Sequence, residues 1–138
     1  MDIKNIQDNE LEAIVDWMEE LVYLNAKEKI MRNIFPVKSE IWTCNLGLNV
    51  GCVINKIRPV VIVQSIGNYD KNSNTIIVAP ITRTEPTKST HVKCALGTVL
   101  LEQLKTVSKA QLGKRITVVP FDKMREIENS LKICLGLE

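Results

Sequence analysis

Asn49-Val-Gly-Cys-Val-Ile-Asn-Lys-Ile-Arg-Pro-Val-Val-Ile-Val-Gln64 is the stretch on which the fold turns. Its second half, Val60 to Val63, is four consecutive β-branched residues, which predicts a strand buried on both faces. Pro59 stands at the head of that strand, where a missing backbone N–H is tolerated. Lys56 and Arg58 come just before, at the end of a loop opened by Gly51. A guanidinium is thus held at the mouth of a rigid element, and its planar fork of donors suits phosphate oxygens. The same residues equally suit a solvated arginine at a strand edge.

Working outward, Thr75 to Ile81 predicts a second buried strand, interrupted by Pro80 near its end and followed by Thr82 and Arg83. About ten polar residues join the two strands, so antiparallel pairing is expected. That pairing would bring Arg58 and Thr82 to one rim of the sheet. Thr82 also suits a strand-terminal hydroxyl bonded to its own backbone. Glu40 to Leu46 alternates and reads as a half-buried strand. Further short strands are predicted at 90–94, from 97 to 101, at 102–107 and at 115–119. Ser108 is expected to cap one helical turn ending at Gly113. Asp122 is expected to cap a closing helix whose apolar face is Met124, Ile127, Leu131 and Leu135.

Ahead of this body, residues 8–34 predict a helix ending before Pro36, with Asp8 or Asn9 as its cap. Leu11, Ile14, Val15, Met18, Leu21 and Val22 form one stripe, flanked by Trp17 and Tyr23. Burial on its own body is expected for the stripe, with a partner or dimer contact as the alternative. The chain therefore divides into a helical extension, 1–37, and a domain, 38–138. The domain is mainly β with helices, an α+β class of small, strongly curved barrel or open sheet.

At 138 residues, 45% hydrophobic and 25% charged, this is an ordinary globular composition. No run approaches the roughly 18 apolar residues that span a bilayer. A cytoplasmic protein with no membrane association is expected. Cys44, Cys52, Cys94 and Cys134 lack metal or redox spacing, and Cys44 and Cys134 read as small buried hydrophobes. Residues 1–38 carry five basic and eight acidic side chains, residues 39–138 thirteen and eight. The basic body favours a polyanion or an acidic partner.

A single histidine, His91, excludes a two-histidine nuclease and reads as a structural strand residue. Neither a P-loop nor a nucleophile elbow is present, and no metal-ligand cluster is spaced in the sequence. Guanidinium, hydroxyl and backbone N–H groups around Arg58 and Thr82 suit one reaction that needs no metal or cofactor. In RNA a 2′-OH can attack its own neighbouring phosphorus if the developing charge is stabilised. That reaction leaves a 2′,3′-cyclic phosphate and a 5′-hydroxyl end.

From about residue 38 the sequence resembles the MazF/PemK toxins, the ribosome-independent endoribonucleases (mRNA interferases) of type II toxin–antitoxin modules. The resemblance rests on Glu40-Ile-Trp, Ile57-Arg-Pro-Val-Val-Ile-Val-Gln, Ile77-Val-Ala-Pro-Ile-Thr, Ser89-Thr-His-Val and Val99-Leu-Leu-Glu-Gln-Leu-Lys-Thr-Val, in that order. The end, Ile133-Cys-Leu-Gly-Leu, resembles the family's closing helix. It implies an SH3-like barrel of the CcdB/MazF type, a homodimer binding single-stranded RNA near the dimer groove, and a cognate antitoxin. It also implies Arg58 and Thr82 as catalytic residues, with Asn55, Lys56, Arg83 and Gln103 as RNA contacts and no metal. Three features depart from the family pattern: Val53 where a glutamate is usual, Lys105 where an arginine is usual, and the added front helix. A catalytically degenerate member, or a CcdB-like inhibitor of a protein target, is the alternative.

Overall fold

In the computed structural model, described over residues 8–31, 34–47, 56–65 and 73–137, the β-branched run lies at the centre of the sheet. β2 (Ile57–Ile62) sits between β1 (Glu40–Asn45) and β3 (Thr75–Thr82), antiparallel to both. Val60, Val61 and Ile62 are fully buried. Val61 enters one core, with Ile41, Ala79, Ile81, Val99 and Ile127. Val60 and Ile62 enter a second, with Cys44, Ile76, Val78, Val107 and Leu112. A strand covered on both faces has no use for polar alternation, hence the unbroken run.

Among the described residues the antiparallel sheet has seven strands. Its order is β4 (His91–Cys94), β5 (Gly97–Leu100), β3, β2, β1, β7 (Leu112–Val118), with β6 (Lys105–Ser108) also on β3. β3 changes partner along one edge: Thr75 to Val78 pair with β6, while Ile81 and Thr82 pair with β5. A strand shared in this way bends the sheet over itself, the curvature expected of a small barrel. The fold class is α+β, as the sequence predicts.

Several local expectations are corrected. Pro59 is the third residue of β2, not its first. The strand expected at 102–107 is broken by a 3-10 turn at Leu101–Gln103, because Leu101 buries its side chain and donates its N–H to the Thr90 carbonyl at 3.1 Å. Ser108 does cap one turn, Lys109–Gln111, in a capping box. β7 then starts at Leu112 rather than Arg115, since β1 pairs with it through two register shifts. α2 (Phe121–Leu135) has Pro120, not Asp122, at its cap. Proline's missing N–H costs nothing there, and Asp122 complements the dipole from the first turn. Met124 and Ile127 are buried and Leu131 packs on them, but Leu135 is exposed.

α1 spans Asp8–Met31, so Asp8 is already helical and Asn9 lies inside the helix. Its orientation differs most from expectation. Leu24 is buried, and Trp17 lies over Gly47, whose φ of 72° and missing Cβ admit the indole. Glu20 and Lys27 reach Asn45 and the Leu112 carbonyl, each at 3.5 Å. The predicted stripe faces outward instead: Met18 is 60% and Val22 72% exposed. Positions 17, 20, 24 and 27 share one helical row, and this row, not the apolar one, faces the sheet. No helix among the described residues is long and apolar enough to cross a membrane.

Candidate functional site

The β2–β3 ladder runs Ile62↔Val78, Val61↔Ala79, Val60↔Pro80 and ends. Pro59 and Pro80 bring no N–H to continue it, so β3 turns to β5 and the strands part. In the same register, two residues further, Arg58 stands opposite Thr82. The parting leaves a groove lined by Ile57, Arg58, Pro59, Ile81, Thr82, Arg83, Leu96 and Ile116.

Arg58 is exposed, and among the described residues its Nη1 donates only to the Ile57 carbonyl, at 3.5 Å. Neither Arg58 nor Arg83 forms an ion pair among the described residues. Thr82 is half-buried, and its hydroxyl makes no hydrogen bond among the described residues, so the backbone-bonded alternative does not hold. Among its described residues the groove thus presents two guanidinium groups and one free hydroxyl with no lining carboxylate, on walls of Ile57, Leu96 and Ile116. Such a surface attracts an anion and accepts a base or sugar face beside it.

Other expected site residues lie elsewhere. Lys56 lines a neighbouring groove with Asp16, Trp17 and Glu20 of α1, and Ile57 borders both grooves. Its φ is 64°, held by bonds from Lys56 N–H to the Gly47 carbonyl (2.6 Å) and from Leu46 N–H to the Lys56 carbonyl (2.9 Å). Gln103 sits on the 3-10 turn and does not line the Arg58 groove. Asn55, with Gly51, Cys52 and Val53, lies outside the described residues. Lys105 donates to the Leu46 carbonyl at 3.2 Å. Cys44 is buried, which pushes its thiol up to about 12 despite the opposing pull of Lys105. Cys134, expected buried, is only half so. Among the described residues no group of three His, Cys, Asp or Glu side chains is placed to hold a metal.

Four positions that sequence reasoning passed over shape the groove. Gly97, at φ 142°, presses against Thr82, where a Cβ would overlap the Thr82 carbonyl oxygen. Thr98 is buried and its hydroxyl donates to the Thr84 carbonyl, holding the chain just past Arg83. Leu96 and Ile116 supply the far wall. The one available signal was the tight Ala-Leu-Gly between two short strands.

The architecture is that of MazF-type toxins. It superposes on MazF from Deinococcus radiodurans with a TM-score of 0.66 at 17% identity, over 75% of this chain and 98% of that one. An endoribonuclease in complex with its cognate antitoxin, from a mycobacterial species, gives 0.65 at 23% identity, over 75% and 98%. In sequence, residues 38–135 match the family described as PemK-like, MazF-like toxin of type II toxin-antitoxin system. Endoribonuclease MazF of Staphylococcus saprophyticus is 36% identical over 111 residues, covering 72% of this chain and 91% of the relative. The chain belongs to this family of endoribonuclease toxins. α1 lies outside the matched residues.

Proposed function

We propose that the chain is a sequence-selective, metal-independent endoribonuclease that cuts single-stranded mRNA in the cytoplasm. The juxtaposition of Arg58 and Thr82 in a groove with no carboxylate among its described lining residues carries this reading. The substrate's 2′-oxygen bonds to phosphorus, the bond from phosphorus to the 5′-oxygen breaks, and a proton leaves the 2′-OH as one joins the 5′-oxygen. Arg58 stabilises the extra charge on the phosphorane, and Thr82 hydrogen-bonds a phosphate oxygen. An electrostatic role fits Arg58 better than that of a base, since its guanidinium stays protonated. Asn55, Lys56, Arg83 and Gln103 are its RNA contacts. Two copies pair to complete the RNA groove, and an antitoxin partner restrains the enzyme, as a structural neighbour is complexed with its own. Residues 38–138 form the catalytic domain, and 1–37 an extension whose helix props it.

The test is incubation of the purified protein with mixed-sequence RNA in excess EDTA, followed by mapping of fragment ends. Discrete cuts with 5′-hydroxyl ends are expected. Arg58→Ala should cut about 10²–10³-fold more slowly with unchanged circular dichroism. Intact RNA would favour the catalytically degenerate alternative, for which Val53 is the motive, and Val53→Glu should then restore cutting.

A further inference from the structure

His91 is the chain's single histidine, and its side chain is only 9% exposed. Both ring nitrogens are engaged. Nδ1 accepts the backbone N–H of Thr87 at 3.1 Å, with the Thr87 hydroxyl 3.4 Å away. Nε2 lies 2.7 Å from a Glu102 carboxylate oxygen. A backbone N–H can only donate, so Nδ1 carries no proton here. With Nδ1 as the acceptor, this arrangement leaves Nε2 to carry the ring proton directed at Glu102. Burial pushes the Glu102 carboxyl up, but the His91 bond, its own backbone N–H and the charges of a protonated His91 and of Lys88 outweigh this and hold it below the usual range. Glu102 thus stays ionised and fixes the ring.

The segment joining β3 to β4 leaves directly from Thr82. Its first half is fastened by Thr98 at Thr84 and by the exposed Glu85–Lys93 pair at 3.2 Å. At Thr87 the side chain that fastens it is His91, while the His91 N–H closes the turn on the Lys88 carbonyl at 3.0 Å. Glu102 stands on the 3-10 turn beside Gln103. One imidazole therefore ties together the two segments that carry Arg83 and Gln103.

Among the described residues, the charged groups around the ring are few. Glu102 faces it, and Lys88 lies 3.6 Å from the same carboxylate oxygen. Glu85 and Lys93 pair with each other across the segment and β4. Beneath β4, the core shared with α2 is apolar: Val92, Cys94, Met124, Ile127 and Leu131.

We propose that His91 is a positioning residue for the 83–90 segment, and that proton uptake by its ring releases the segment and weakens RNA binding. The second half rests on the proposed ribonuclease reading. Protonation puts a hydrogen on Nδ1, opposite the Thr87 N–H. Two donors then meet and the bond is lost. The bond to the ionised Glu102 gains a second charge, becomes an ion pair and strengthens, so the ring stays in place and the segment departs.

Long-range nitrogen–proton NMR of the full chain, without RNA, reads the first half directly, because one histidine yields one pair of ring signals. At pH 8 the expected spectrum is the neutral Nε2–H tautomer, with a protected Thr87 amide. On lowering the pH from 8 to about 5.5, protection of that amide should fall. In His91→Gln, which offers one acceptor and one donor without titrating, any protection should not depend on pH. An Nδ1–H tautomer, or Thr87 protection that ignores both pH and His91→Ala, would overturn the proposal. With RNA, loss of one such bond in His91→Ala should raise KM about fivefold while kcat stays within about twofold. A released Thr87 with unchanged KM would overturn the link to RNA. If the wild type cuts no RNA at any pH, the ribonuclease reading fails instead, and the ring spectra still decide the latch.

Discussion

Gly97 shows how a residue without a side chain can set a site. Its φ of 142° is open to glycine and costly for other residues, and the missing Cβ lets β5 touch the Thr82 carbonyl. Gly97→Ala should therefore lower stability by about 1–3 kcal/mol in urea denaturation and also displace Thr82, reducing RNA cleavage at temperatures where the variant remains folded. Glu40 makes a different kind of contribution. One carboxylate oxygen accepts the Val37 N–H at 2.7 Å and the Trp42 indole N–H at 3.3 Å, and the other meets Arg115 at 3.0 Å. Burial raises the Glu40 carboxyl, but these partners more than offset it and the net shift is downward. A lowered folded-state value means stability that is present above the unfolded carboxylate range, near pH 4.3, and lost as pH falls through the folded value. Urea midpoints for Glu40→Gln should be reduced at pH 7, and the difference from wild type should shrink by pH 3.

At the scale of elements, β2 and α1 make opposite cases. β2 was legible because burial on two faces leaves a residue-level mark, the unbroken run at 60–63, that needs no partner to interpret. α1 was legible as a helix but not in its seating. Periodicity reports which residues share a face, whereas seating depends on what the neighbouring surface offers. Here that surface offers Gly47, open to the Trp17 ring, and Asn45 and the Leu112 carbonyl as polar partners. Trp17→Ala should cost about 1–3 kcal/mol, less than for a fully buried tryptophan, because the indole is only partly covered. Val22→Ser, on the outward stripe, should change stability by no more than about 0.5 kcal/mol. A large loss from Val22→Ser in equilibrium unfolding would mean that the stripe is covered in solution. The 3-10 turn at Leu101–Gln103 was missed for a related reason: the β-like pattern of the segment gave no sign of the distant Thr90 carbonyl that draws Leu101 inward.

Across the whole molecule, charge and topology act together. The acidic side chains are concentrated in the front segment and the basic excess lies in the body, so the groove of Arg58 and Arg83 opens on the positive portion. If RNA binds there through about three phosphate contacts, affinity should fall roughly tenfold or more between about 50 and 200 mM salt. Fluorescence anisotropy with a labelled RNA would read this, and a flat salt response would remove phosphate contact as the source of binding.

By itself the sequence determined the β-branched centre of the sheet, the antiparallel return from β2 to β3, and hence the meeting of Arg58 with Thr82. Each follows from local pattern and from how short a connection is. It also carried the family motifs, since these are runs of adjacent residues. Only the tertiary structure decided that Pro59 and Pro80 end one ladder together and open a groove, and that Gly97, Thr98, Leu96 and Ile116 finish it. The same holds for α1, which turns its apolar row outward, and for His91, which joins Thr87 to Glu102. These depend on which distant backbone groups and side chains arrive at the same place, and a chain acquires that property only when the sheet curls.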